Sequence, residues 1–251
     1  MEPRILDSFK DLITIIRPNK VVEFGSWKGQ SAVAFLTLAR NAGLDTEILC
    51  VDTWLGSSEH WNNRYPDGEF SFKSLGLQNG EPSILDDFRK MITDYGFYRQ
   101  VSILRCPSQF SGAFLSSCWS DANLIYLDAD HSVRAVLADL EVCSRSMPHG
   151  VLSGDDFSWK SVRLALVSFM MKQALAGTTR RLYVSENSNT WVLLNGDRRR
   201  IEQFLSRGWK RSRMLPLIVS TGISWISNQL GNIPAVLKNG RIGSRSTSRL
   251  Q

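Results

Sequence analysis

Short β-branched apolar runs alternate along the chain with stretches whose apolar residues recur every three or four positions. The runs are VVEF (21–24), EILCVD (47–52), VSILR (101–105), NLIYLD (123–128) and GVLSGD (150–155). Between them, SAVAFLTLARNAG reads as a helix closed by Gly43, and HSVRAVLADLEVCSR places Val133, Val136, Leu137 and Leu140 on one face. The opening MEPRILDSFKDLITIIRPNK has the spacing of an amphipathic helix. After the fifth run a helix is predicted from about Trp159 to Leu175, and RLYV and TWVLL then flank SENSN as a β-hairpin. Strands alternating with helices in this way build a parallel sheet with crossover connections. The expected class is α/β, with seven strands, helices on both faces and an antiparallel strand at the C-terminal hairpin.

Two segments break the alternation. Residues 54–80, WLGSSEHWNNRYPDGEFSFKSLGLQNG, are too long for a plain connection, and their aromatic residues with His60 suit a lid over a pocket better than a linker. Residues 214–230, MLPLIVSTGISWISNQL, are apolar but interrupted by Pro216, Ser220, Gly222 and Asn228. Interruption in so short a span argues against a transmembrane helix and leaves an interfacial or self-associating helix.

Composition alters the picture only locally. A 251-residue chain with 43% hydrophobic and 22% charged residues is an ordinary globular protein with one principal domain. Cys50, Cys106, Cys118 and Cys143 form no CxxC pair, which points to buried thiols in a reducing cytoplasm. The first residues also lack the charge, apolar core and cleavage site of a signal peptide. The net charge of +6 is not spread evenly, because residues 197–251 hold eleven Lys or Arg against Asp197 and Glu202. We therefore expect a domain over 1–196 and a basic extension over 197–251, partly helical or disordered, through which nucleic acid or an anionic membrane could be touched.

Candidate chemistry sits at the strand ends, where ligands bind in open α/β sheets. The first turn, EFGSWKG, is not the GxGxxG that cradles a pyrophosphate, which counts against a nicotinamide-dependent oxidoreductase. Its acid, Glu23, would repel a diphosphate and suits an ammonium group. Asp52 ends the second strand, where an acid commonly binds ribose hydroxyls. The fourth and fifth strands end in LDADH (127–131) and GDDF (154–157). Asp128, Asp155 and Asp156 at neighbouring strand ends would be costly without a cation, and an all-oxygen set suits Mg²⁺, Ca²⁺ or Mn²⁺ rather than zinc. His131, next to this cluster, could take a proton from a hydroxyl that the metal has acidified. Asp130 and Asp156 could instead cap helices.

Together these residues resemble a class I S-adenosylmethionine-dependent methyltransferase, in particular the metal-dependent small-molecule O-methyltransferases. The DTWLG after the second strand and the paired Asp155-Asp156 look most like the branch that includes the macrocin and related sugar O-methyltransferases; the catechol and caffeoyl-CoA enzymes are more distant. The resemblance covers about residues 18–195. It implies a Rossmann-like sheet, S-adenosyl-L-methionine as cofactor and a small-molecule hydroxyl as acceptor. It also implies Mg²⁺ or another divalent cation on Asp128, Asp155 and Asp156. Glu23 and Ser31 would meet the methionine moiety, Ser26 would also contact the cofactor, and Gly25 and Gly29 would shape the turn. Asp52 would hold the ribose, Ser108 and Gln109 would lie against the adenine, and Asp130 would contact the cofactor. His131 stands where the catechol and caffeoyl-CoA enzymes carry a lysine base, which leaves His131 and Asp128 as the two candidates for that role. A methyltransferase-like domain that binds cofactor or partner without turnover is the alternative, and retention of all three carboxylates argues against it.

Overall fold

The computed structural model describes residues 3–212 apart from 64, 65, 67, 69 and 70. One eight-stranded sheet runs in the order β3-β2-β1-β4-β5-β7-β6-β8. Its parallel part comprises β1 (Lys20–Phe24), β2 (Glu47–Asp52), β3 (Val101–Arg105), β4 (Leu124–Leu127) and β5 (Val151–Gly154). The hairpin strands β6 (Arg181–Ser185) and β7 (Trp191–Leu194) follow, with β7 antiparallel to β5 and β6. This is the expected Rossmann-like α/β arrangement, with one strand more than the sequence pattern predicts. The eighth, β8 (Trp209–Arg211), pairs antiparallel with β6 and lies beyond residue 196. Three residues are too few to show a period in the sequence. Packing places them instead: Trp209 is buried, its ring lies 5.0 Å from Phe204, and its indole N–H donates to Asp11 at 2.9 Å.

Strand residues alternate between two cores. Val21, Ile48, Cys50, Leu124 and Tyr126 face a layer made by α1 (Pro3–Ile16), α2 (Gln30–Asn41), α4 (Ile84–Asp94) and α8 (Arg198–Ser206). Val22, Phe24, Leu49, Ile125 and Leu152 face the opposite layer of α5 (Gly112–Cys118), α6 (Val133–Ser146) and α7 (Lys160–Leu175). Each central strand is buried on both sides, which is why these runs read as continuously apolar. The remaining helix, α3 (Ser58–Trp61), and a 3-10 turn at Phe72–Leu75 belong to the 54–80 segment.

The chain leaves β1 outward to β2 and β3, then returns to the other side of β1 as β4. The strand order thus reverses between β1 and β4, opening a crevice at their carboxyl ends. No helix among the described residues is long and apolar enough to cross a membrane. Residues 214–230, expected as an interfacial or self-associating helix, lie outside the described residues.

Candidate active site

The turn after β1 forms the first wall. Gly25 has φ +84°, and a Cβ there would lie 2.1 Å from the main-chain oxygen of Asp128, so only glycine lets the ends of β1 and β4 approach. Gly29, at φ +87°, precedes the first residue of α2. Between them the backbone is held by Asp52, whose Oδ2 accepts the N–H groups of Ser26 and Trp27, both at 2.9 Å, and whose Oδ1 accepts that of Trp54 at 2.8 Å. Trp27 and Trp54 adopt the left-handed region at φ 43° and 54°, a strain that these bonds hold in place. Asp52 therefore organises the turn, and Trp54 closes it from below by donating its indole N–H to the Trp27 carbonyl at 2.9 Å.

Glu23 is fully buried on β1, between Cys50 and Tyr126 of the flanking strands. Its Oε2 accepts the Ser26 hydroxyl at 2.6 Å and the Cys50 thiol at 3.6 Å, whereas Oε1 has no hydrogen-bond partner. Burial raises its pKa to about 7 against the pull of the neighbouring Ser26, Ser31 and Cys50, and the charge of Asp128 adds to the rise. A buried carboxylate oxygen without a donor is a place for a cationic or N–H-bearing ligand group.

The second wall is made by the ends of β4 and β5. His131 Nε2 stands 2.7 Å from Asp156 Oδ2 and 3.6 Å from Asp128 Oδ1. Donor atoms of Asp128, His131 and Asp156 all lie within 4.8 Å of one another. Burial alone would lower the His131 pKa, but hydrogen bonds and charge from Asp128 and Asp156 outweigh it and raise the value to about 10. Asp156 takes up its place with φ 59°, another non-glycine residue in the left-handed region. Asp155 is placed differently from its neighbour. Its Oδ1 accepts the Asp156 N–H at 2.8 Å, the Tyr126 hydroxyl bonds to its carboxylate, and its main-chain oxygen accepts the Trp191 indole at 2.9 Å. Burial and the charge of Asp128 raise its pKa to about 6.

The adenine-side residues are partly brought in. Ser108 begins a 3-10 turn after β3 and donates to Asp139 Oδ1 at 2.5 Å, while Gln109 is exposed. Asp130 is exposed and accepts the Ser132 N–H at 2.6 Å, but the cap of α6 is Ser132, whose hydroxyl accepts the Ala135 N–H at 3.3 Å, so Asp130 is not the capping residue. Asp139 is the residue sequence reasoning missed. It is an acid on the buried arc of α6, three positions after Val136, and burial raises its pKa to about 7. Asp128, Asp130, His131, Asp139 and Asp155 line a small cavity of about 10 Å³ beneath the second wall, room for a single water molecule. The described part of 54–80 reaches the first wall, where His60 is buried and stacks on Trp27 at 4.5 Å.

Residues 22–157 match the family described as a methyltransferase domain. The chain belongs to that family. This methyltransferase-family span takes in every candidate residue from Glu23 to Asp156. No curated protein sequence matches the chain. Among solved structures, an O-methyltransferase from Bacillus cereus in complex with S-adenosylhomocysteine is similar at 13% identity and a TM-score of 0.52, covering 77% of this chain and 80% of that one. An S-adenosylhomocysteine-bound methyltransferase of Podospora anserina is similar at 15% identity and a TM-score of 0.51, covering 78% and 80%. A TDP-rhamnose 3'-O-methyltransferase of calicheamicin biosynthesis is similar at 15% identity and a TM-score of 0.51, covering 77% and 79%. At such identities the likeness is one of fold.

Proposed function

We propose that this chain transfers a methyl group from S-adenosylmethionine to a hydroxyl of a small molecule, with a sugar or sugar-bearing metabolite as the favoured acceptor class. The observation that carries the reading is the division of the crevice. One wall holds a buried acid, Glu23, with an orphaned oxygen, and the other holds a cluster of carboxylates around one imidazole.

Glu23 Oε1 fits the ammonium of the cofactor's amino-acid moiety, which would satisfy the orphan and favour the ionised acid. Asp52 Oδ1, which accepts a single turn N–H, keeps an acceptor site for a ribose hydroxyl. Ser108, held by Asp139, sets the edge of the adenine side.

The second wall fits a divalent cation, because donor atoms of Asp128, His131 and Asp156 lie within 4.8 Å of one another and the two carboxylates converge on a single imidazole. Asp128 and Asp156 would hold it, with Asp155 bracing Asp156 from behind. Bound there, it would supply Lewis acidity toward the acceptor hydroxyl. Asp128 takes the hydroxyl proton, since His131 Nε2 is already engaged with Asp156 Oδ2 at 2.7 Å. The 54–80 segment excludes water through His60, which stacks on Trp27 of the first turn, and holding both reactants as neighbours removes roughly 7–11 kcal/mol of barrier.

The test is transfer of labelled methyl to a panel of sugar and phenolic hydroxyls, with and without EDTA, beside calorimetry with S-adenosylhomocysteine. Metal-dependent labelling of a hydroxyl is expected. Cofactor binding with no transfer to any acceptor would return the chain to the non-catalytic reading, and full activity in EDTA would remove the metal.

A further inference from the structure

We propose that a groove at the end of the sheet opposite the crevice binds a small apolar α-amino acid as its zwitterion. The groove lies between the last turn of α2, the start of β2 and the turn before β3, and it holds about 340 Å³, the size of a small-molecule site. It sits at the amino ends of the strands and shares no lining residue with either wall of the crevice, so its ligand is independent of the methyl-transfer reading.

The floor follows from α2 and its end. Leu36, Ala39 and Arg40, at i, i+3 and i+4, share one face of the helix. Gly43 turns the chain with φ 67°, and the Leu44 N–H donates back to the Ala39 carbonyl at 3.0 Å, which brings Leu44 to the same groove. The Arg40 guanidinium lies over the buried Phe97 ring, 4.6 Å from its centre. That contact orients Arg40 and leaves its N–H donors for an anion.

Three polar groups around this floor lack counterparts. Arg40 and Asp45 line the same groove, yet among the described residues neither forms an ion pair, with the other or with any third side chain. Gln100 Oε1 is buried without a donor, although the main chain of Gln100 is fully used by the Phe97 carbonyl and the Ile48 N–H. Thr46, by contrast, already donates its hydroxyl to the Pro18 carbonyl at 2.7 Å. A carboxylate for Arg40, an ammonium between Asp45 and Gln100 Oε1, and an apolar side chain for the floor are the three parts of an amino acid. A simple anion would leave Asp45 and the amide oxygen unmet, and a simple amine would leave Arg40 so. Gln100 meets the ligand by turning about its terminal torsion, which is broad and soft.

L-Leucine is the probe. It is titrated calorimetrically into the full chain beside leucinamide, which lacks the carboxylate, and isocaproate, which lacks the ammonium. We expect L-leucine to bind with a Kd below about 1 mM and each analogue at least about tenfold more weakly. Arg40→Gln, a change at an exposed residue, should weaken L-leucine at least about tenfold. Gln100→Leu should weaken L-leucine and leave isocaproate unchanged, because only the ammonium meets the amide oxygen. No saturable binding of L-leucine overturns the proposal, and so does an analogue that binds as well as L-leucine. Full affinity in Arg40→Gln places the ligand elsewhere and also overturns it. The wild-type titrations decide by themselves, so a variant that fails to fold does not shelter the idea.

Discussion

The two walls of the crevice manage negative charge in opposite ways. On the β1–β2 side, Asp52 is compensated by three main-chain N–H groups of the turns it joins, and Glu23 is met by a serine hydroxyl while burial favours its protonated form. On the β4–β5 side, Asp128 and Asp156 converge on the Nε2 of a single imidazole. Backbone donors come with the fold and cannot leave, whereas an imidazolium is a mobile proton that another cation can replace. The first wall is thus preorganised by the covalent chain, and the second is completed by what binds there.

The largest expected effect breaks the second wall. Asp128→Asn should lower methyl transfer by about 10³-fold while leaving S-adenosylhomocysteine affinity within a few-fold, because removal of a general base costs 10²–10⁴. Equal losses in turnover and cofactor binding would show that the walls are not separable. Gly25→Ala attacks the junction between them. A Cβ 2.1 Å from the Asp128 carbonyl, at φ +84°, should cost about 3 kcal/mol or more in denaturant unfolding, or force β1 and β4 apart. A wild-type unfolding curve in this variant would contradict the close approach.

Proton linkage sharpens the first wall. Glu23 has its pKa raised from 4.5 to about 7, so below pH 4.5 the protonated acid fits its buried site, and stability falls as pH rises from there to about 7. Asp139 and Asp155, raised to about 7 and 6, add the same sign over their own windows. His131, raised from 6.5 to about 10, contributes stability below pH 6.5 that is lost as pH rises through 10. Thermal melts of the ligand-free protein should therefore show a fall from about pH 4 upward. Cofactor binding should have the opposite slope if an ammonium meets Glu23: affinity weakens by up to tenfold per pH unit below 7, and Glu23→Gln removes that dependence. A pH-independent Kd in the wild type would detach Glu23 from the cofactor. The smallest effect is expected of Trp54→Phe, which loses the bond to the Trp27 carbonyl and should cost about 1 kcal/mol in unfolding free energy with little change at the second wall.

Much of this was readable before any coordinates. All seven expected strands form within a residue or two of their predicted limits, since continuous apolar runs bounded by glycine and acids have few alternatives. Glu23 and Asp52 were recognisable because strand ends are where chemistry sits in this class of sheet. Asp139 was not, because an acid within a helical repeat looks solvent-facing until Ser108, from a turn 31 residues away, reaches it. β8 was missed for its length, and Tyr126 as the partner of Asp155 because register, not spacing, brings them together.

The sequence by itself determined the alternation of strands and helices, the glycine that β1 requires and the presence of acids at four strand ends. These follow from local rules, namely the period of apolar residues and the conformational freedom of glycine. Only the tertiary structure decided which carboxylates act together. Asp155 and Asp156 are adjacent in sequence, yet one turns toward a buried phenol and the other toward an imidazole, because successive residues at the end of a strand leave it in different directions.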